Sequence, residues 1–208
     1  MHSTSSCARP LKAAALQRWS VTWRAESTTA ASAIWGPGAP YLAQWDSIAR
    51  VVRVRWPTAR PCLRALPKQM TGHTWQWMTH AWAQYHAKKH GPVASWRDGQ
   101  RSTASNLGLG VIFGLNVLSG GDGSSGIHGT AIDGSDWQMT GTEVAKYGTV
   151  LMPYTCGLLN WQYGPSWTYS GRTAGQTAGI QAFDSRSDVK AAIDSLKRYA
   201  ARLPARAC

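Results

Sequence analysis

From Thr71 onward, short continuous apolar runs alternate with stretches of helical period, the pattern of strand, helix, strand, helix, strand, helix. The run His80-Ala-Trp-Ala-Gln-Tyr85 is short and aromatic enough for a strand. Gly91-Pro92 then opens a helix whose Val93, Trp96, Thr103 and Leu107 share one face, and Gly108 follows as a terminating glycine. Leu109 to Leu118 is apolar and rich in branched side chains, with Asn116 its only polar residue, as expected of a strand buried on both faces of a parallel sheet.

After a Gly/Ser loop from Ser119 to Gly129, Thr140-Gly-Thr-Glu143 has the spacing of a capping box, and Val144, Tyr147 and Leu151 supply the stripe of the helix it opens. Pro153 stops that helix, and Cys156 to Tyr163 reads as the next buried strand. A last helix from about Ser187 buries Val189, Ala192, Ile193, Leu196 and Leu203. Asp188 lies at its positive end and Lys197, Arg198 and Arg202 near its negative end. Upstream, Tyr41, Leu42, Trp45, Ile48, Ala49 and Val52 form a helical stripe ended by Pro57, with a strand expected within Cys62 to Leu66. Residues 1–40 have no period to bury and read as an unassigned leader before one domain, 41–208.

Composition narrows the classes. An apolar fraction of 43% with 12 Trp excludes a disordered chain, and no apolar run approaches a bilayer span, so no membrane is expected among the partners. Near the N-terminus, Ala13 to Leu16 between Lys12 and Arg18 is too brief for a secretory core, so no export signal is read there. The net charge of +12 is uneven: residues 1–101 carry 14 Lys and Arg against Glu26, Asp46 and Asp98, whereas residues 102–208 carry 8 against 7. Arg50, Arg53, Arg55, Arg60, Arg64 and Lys68 form the densest basic run. It crosses a helix, a proline turn and a strand, which disfavours nucleic acid as the partner without removing it.

Among the carboxylates, Asp46, Glu143, Asp188 and Asp194 fall on helices and read as solvated, while Asp133, Asp136 and Asp184 fall in loops. Asp122 alone follows a strand end closely, and it is the one candidate catalytic residue, with no second carboxylate beside it in sequence. His86 and His90 straddle a strand end without a ligand partner, so no metal is expected. The loop Gly120 to Gly126 lacks the Lys-Ser/Thr ending of a phosphate loop and reads as a flexible rim, so no cofactor is expected either. Asn116 must be satisfied by a ligand hydroxyl or a neighbouring backbone amide. Trp161 and Tyr163 alternate with Gln162 and point to one side of their strand, as a stacking platform or as core. Cys156 opens the last strand and Cys208 follows the last helix; they meet in a disulfide if that helix folds back along the strand, which implies an oxidising compartment.

The run Trp82-Ala-Gln-Tyr85, the Gly-Pro-opened helix, Gly114-Leu-Asn-Val-Leu-Ser-Gly-Gly121, and Cys156 with Leu159-Asn-Trp-Gln-Tyr163 together resemble the last units of a family of largely uncharacterised secreted barrel proteins of glycoside-hydrolase type. The resemblance covers about residues 41–208. It implies an α/β fold, a partial (β/α)8 (TIM-type) barrel of the last three to four β/α units, while the alternation of strands and helices alone fits a complete small doubly wound sheet as well. It also implies a site at the C-terminal strand ends formed by Gln84, Tyr85, Asn116, Trp161 and Tyr163. Carbohydrate is the implied partner, and an extracellular or periplasmic place the implied location. The family's acid pair would come from earlier strands, and the acid it carries after the last-strand aromatics is replaced here by Gly164, so the resemblance implies an incomplete catalytic set. Uncovered barrel edges would favour self-association. The expected function is therefore carbohydrate binding or hydrolysis, with a non-catalytic carbohydrate-binding relative and then a basic nucleic-acid-binding protein as alternatives.

Overall fold

The computed structural model describes residues 6–7, 20–23, 39–129, 135–155, 157–161 and 186–204. The chain divides into two compact units, Met1–Ala83 with Gly99–Ile112, and Gln84–Asp98 with Phe113–Cys208. In the first, β1 (Ser6–Cys7) lies antiparallel to β2 (Ser20–Trp23), which pairs in parallel with β3 (Cys62–Leu63), and β3 pairs in parallel with β4 (His80–Tyr85). Strands β4 and β5 (Gly110–Asn116) each begin in the first unit and end in the second. There β5 pairs in parallel with β6 (Leu158–Trp161), with Phe113 opposite Leu158 and Asn116 opposite Trp161. The strand order β1-β2-β3-β4-β5-β6 follows the sequence. The fold is α/β.

Five α-helices lie among the described residues: α1 (Ala39–Arg55), the single-turn α2 (Ala87–His90), α3 (Val93–Asn106), α4 (Gly141–Leu151) and α5 (Ser187–Ala200). The capping box holds: Glu143 N donates to Thr140 Oγ1 at 3.1 Å while the Glu143 carboxylate takes Thr140 N at 2.8 Å. Val144, Tyr147 and Leu151 are buried as their spacing requires. On α5 the buried residues are Val189, Ala192 and Leu196. Asp188 does more than meet a dipole, since its Oδ2 accepts from Gly141 N at 2.7 Å and so joins the start of α5 to the start of α4.

Several expectations need correction. The first concerns β5, which stops at Asn116 although Val117 and Leu118 are apolar and buried. Asn116 Oδ1 accepts from Leu118 N and Ser119 N, both at 3.1 Å, and that turn takes the two residues out of the ladder. On α1, Tyr41 and Ile48 are exposed, not part of the buried stripe. Asp46 is buried, because its carboxylate accepts three backbone amides from Gln76, Trp77 and Met78 at 2.8–3.0 Å. Finally, two short strands fall within residues 1–40, where segments of two and four residues are too short to leave a readable period.

His80, on β4, is buried with its Nδ1 2.8 Å from Thr79 Oγ1. Burial, helped by the charge of Arg60, lowers its pKa from 6.5 to about 4. The unfolded chain therefore binds a proton between these values that the folded chain does not. Stability is full above pH 6.5 and falls as the pH drops towards 4, by on the order of 3 kcal/mol from this group. Urea unfolding of His80→Gln between pH 7 and pH 4 should lose most of this slope; an unchanged slope would place its origin elsewhere.

Candidate functional site

The C-terminal ends of β4 and β5 are tied together in the second unit. Ala87 N donates to Gly120 O at 2.8 Å, and His86 Nδ1 lies 3.3 Å from Ser119 O. Gly120 N donates to Asn116 O at 2.6 Å. A Cβ at position 120 would lie 2.6 Å from that oxygen and 3.0 Å from Tyr85 O, so only glycine fits where the two strand ends meet.

The segment after β5 is expected to be a flexible rim loop, yet its described residues form a hydrogen-bonded tongue. Gly121 N donates to Trp137 O, Gln138 N to Ile127 O, Gly129 N to Asp136 O and Met139 N to Val117 O, all at 2.8–3.0 Å. Glu143 fastens this tongue to α4: its Oε1 accepts Asp122 N at 2.7 Å, and its Oε2 accepts Thr140 N at 2.8 Å and Thr140 Oγ1 at 3.0 Å. Asp122 itself is exposed. Its Oδ1 accepts the amide of Ser124 at 2.9 Å and the Ser124 hydroxyl, and its Oδ2 lies 3.4 Å from Tyr147 Oη.

These contacts divide the two carboxyls electrostatically. The Ser124 hydroxyl and amide hold Asp122 below the usual carboxylate range, so it stays an anion. Burial pushes Glu143 up, and the donors from Thr140 and Asp122 only partly offset this. Burial, with the two carboxyls nearby, also raises the phenols of Tyr85 and Tyr147, which remain neutral donors. The rim also carries an aromatic pair: His128 stacks on half-buried Trp137 at a centroid distance of 4.0 Å and 25°, and Lys88 Nζ lies 5.9 Å from the indole centroid. A Cβ at Gly123, next to Asp122 in the chain, would lie 3.7 Å from Trp137 Nε1 and 3.8 Å from Lys88 Cε, so the turn that carries the Asp122 anion packs on this pair.

The expected site residues separate. Tyr85 is buried among Trp96 and Tyr147, with centroids at 5.2 and 5.0 Å, and its hydroxyl donates to Gly91 O at 2.6 Å. Gln84 alternates with Tyr85, so it occupies the opposite face of β4 and is half-buried. Asn116 spends Oδ1 on the turn amides, the backbone alternative open in the sequence. Trp161 stands at the end of β6, in register with Asn116. Tyr163, Cys156 and Cys208 lie outside the described residues; Cys62 is a buried thiol.

The structure adds Glu143, Trp137 and His128 to the rim. Glu143 was legible as a cap, but its hold on Asp122 spans 21 residues and leaves no local signal. Trp137 and His128 carry no motif at all. Between His86 and His90 the contact is a cap: His86 N donates to His90 Nδ1 at 3.0 Å, and the His90 ring stacks on Trp96. Among the described residues no group of three His, Cys, Asp or Glu side chains is placed to hold a metal ion. Comparison with family models, with curated proteins and with solved structures finds no match to the chain.

Proposed function

We propose that this chain is a glycoside-hydrolase-like partial (β/α) barrel that binds carbohydrate at the C-terminal ends of its strands without hydrolysing it. The observation that carries the reading is the unequal use of the two rim carboxyls. Hydrolysis needs one acid to protonate the leaving oxygen and a second carboxylate to attack or to activate water. Glu143, whose pKa is raised as that acid requires, is buried with both oxygens occupied by donors of the chain itself. Asp122 is exposed but held ionised, which suits accepting hydroxyl hydrogen bonds rather than giving a proton. Parallel strands that follow one another in sequence order and alternate with helices support the barrel part of this reading.

In this reading Gln84, Asn116 and Trp161 mark the strand ends facing the sugar, Tyr163 is a further proposed sugar contact, and Asp122 lies at the rim. The Cys156 to Cys208 disulfide and an extracellular or periplasmic location belong to the same proposal. Trp161→Ala, if its circular dichroism is unchanged, should weaken glycan binding by at least about tenfold through loss of an aromatic platform. Arg53→Ala, on a helix of the first unit, should leave a neutral glycan bound as before, because charge steering acts on charged partners. Isothermal titration of both variants with one bound glycan decides the matter; normal binding by folded Trp161→Ala with loss in Arg53→Ala would sink the stacking role.

A further inference from the structure

We propose that the outward face of α1 seats on an anionic lipid surface. One flank of this helix is buried through Asp46, Ala49 and Val52. The other leaves Ile48 42%, Val51 67% and Val54 68% exposed, and Trp56, directly after the helix, 57% exposed. A helix that is apolar on two flanks calls for cover on both. Residues 48, 51 and 54 recur every three positions, so they form one stripe along a 17-residue helix roughly 25 Å long, which can lie flat in an interface.

Charge selects the occupant. The charged residues of α1 are Asp46, Arg50, Arg53 and Arg55. The carboxylate of Asp46 is buried and taken up by three backbone amides, so it does not offset the arginines outside. Arg50 and Arg55 are exposed beside the valine stripe, and Arg55 lies 5.9 Å from the Trp56 ring centroid. Among the described residues of the first unit, Asp46 is the one acid against Arg50, Arg53, Arg55, Arg60, Arg64, Lys68 and Arg101. Apolar side chains interleaved with cations, ending in a tryptophan, match a headgroup boundary that is negative outside and hydrocarbon within. Nucleic acid would engage the arginines but leave the valines and Ile48 in water. A second copy packed about a two-fold axis would set the arginines of this face against those of its mate. No described helix is long and apolar enough to cross a membrane, and attachment to a surface requires none.

Flotation of the full chain with phosphatidylcholine vesicles, with and without phosphatidylglycerol, tests this. Binding should require phosphatidylglycerol and weaken with salt. Val51→Ser with Val54→Ser, both exposed, should reduce it about tenfold or more with unchanged circular dichroism. Arg50→Gln with Arg55→Gln should reduce it comparably, which serves as the second arm if the serine variant is poorly folded. No flotation with phosphatidylglycerol overturns the proposal. So does duplex-DNA binding that survives the serine changes while vesicle binding is absent, or dimerisation abolished by them without vesicle binding.

Discussion

Glu143→Ala should lower the free energy of unfolding by about 3–5 kcal/mol, from the two backbone amides and one hydroxyl it leaves without their acceptor in a partly buried place. The donors are Thr140 N, Thr140 Oγ1 and Asp122 N, and they belong to two segments, the start of α4 and the tongue after β5. Loss of the carboxylate therefore frees the tongue as well as weakening the cap. Glu143→Gln should recover part of the loss, since one side-chain oxygen remains and there is no longer a charge whose burial is unfavourable. Urea unfolding at neutral pH measures both; a loss under about 1 kcal/mol for alanine would mean that water replaces the carboxylate and that the tongue is held by other contacts.

Asp46→Ala should cost about 3–4 kcal/mol for the same physical reason in the first unit, because hydrogen bonds to a charged acceptor are stronger than neutral ones. Its Oδ1 takes Trp77 N at 2.9 Å and Met78 N at 2.8 Å, and its Oδ2 takes Gln76 N at 3.0 Å. Through these bonds α1 fixes the approach to β4. Asp46→Asn keeps an Oδ1 for Trp77 and Met78 and gives up the bond to Gln76, whose residue is exposed and can turn to water. Asparagine should thus cost well under half of what alanine does. Hydrogen exchange offers the site-specific check: the Trp77 and Met78 amides should lose protection in Asp46→Ala and keep it in Asp46→Asn. Equal losses in the two variants would contradict the assignment of the bonds to separate oxygens.

Where a signal is local, the sequence carried it. The capping box of α4, the stripe of Val144, Tyr147 and Leu151, and the apolar run of β5 each involve neighbours within a turn or along one strand, so period and spacing reveal them. Asp46 and Glu143 were read as solvated because an acid on a helix usually is; what buries them are amides 30 and 21 residues away. Local pattern cannot contain that information. Asn116 lies between these cases: its isolation in an apolar strand marked it as needing a partner, and only the fold specified the Leu118 and Ser119 amides. The outward stripe of α1 was hidden for a further reason. Ile48 and Val51 both fit a helical period, and period alone does not say which of two apolar flanks meets the core. At the rim, Trp137 and His128 are brought together by backbone bridging between them, with no motif to announce it.

The strand ends are proposed to bind carbohydrate without cleaving it. A glycan array probed with the folded chain, followed by an assay of reducing-end release on every glycan that binds, tests it most directly. Binding to at least one glycan is expected, weakened by Asp122→Asn, with no released sugar above the protein-free control. Release abolished by Glu143→Gln in a folded variant would contradict the non-catalytic reading, and no glycan binding by the folded chain would contradict the carbohydrate reading itself.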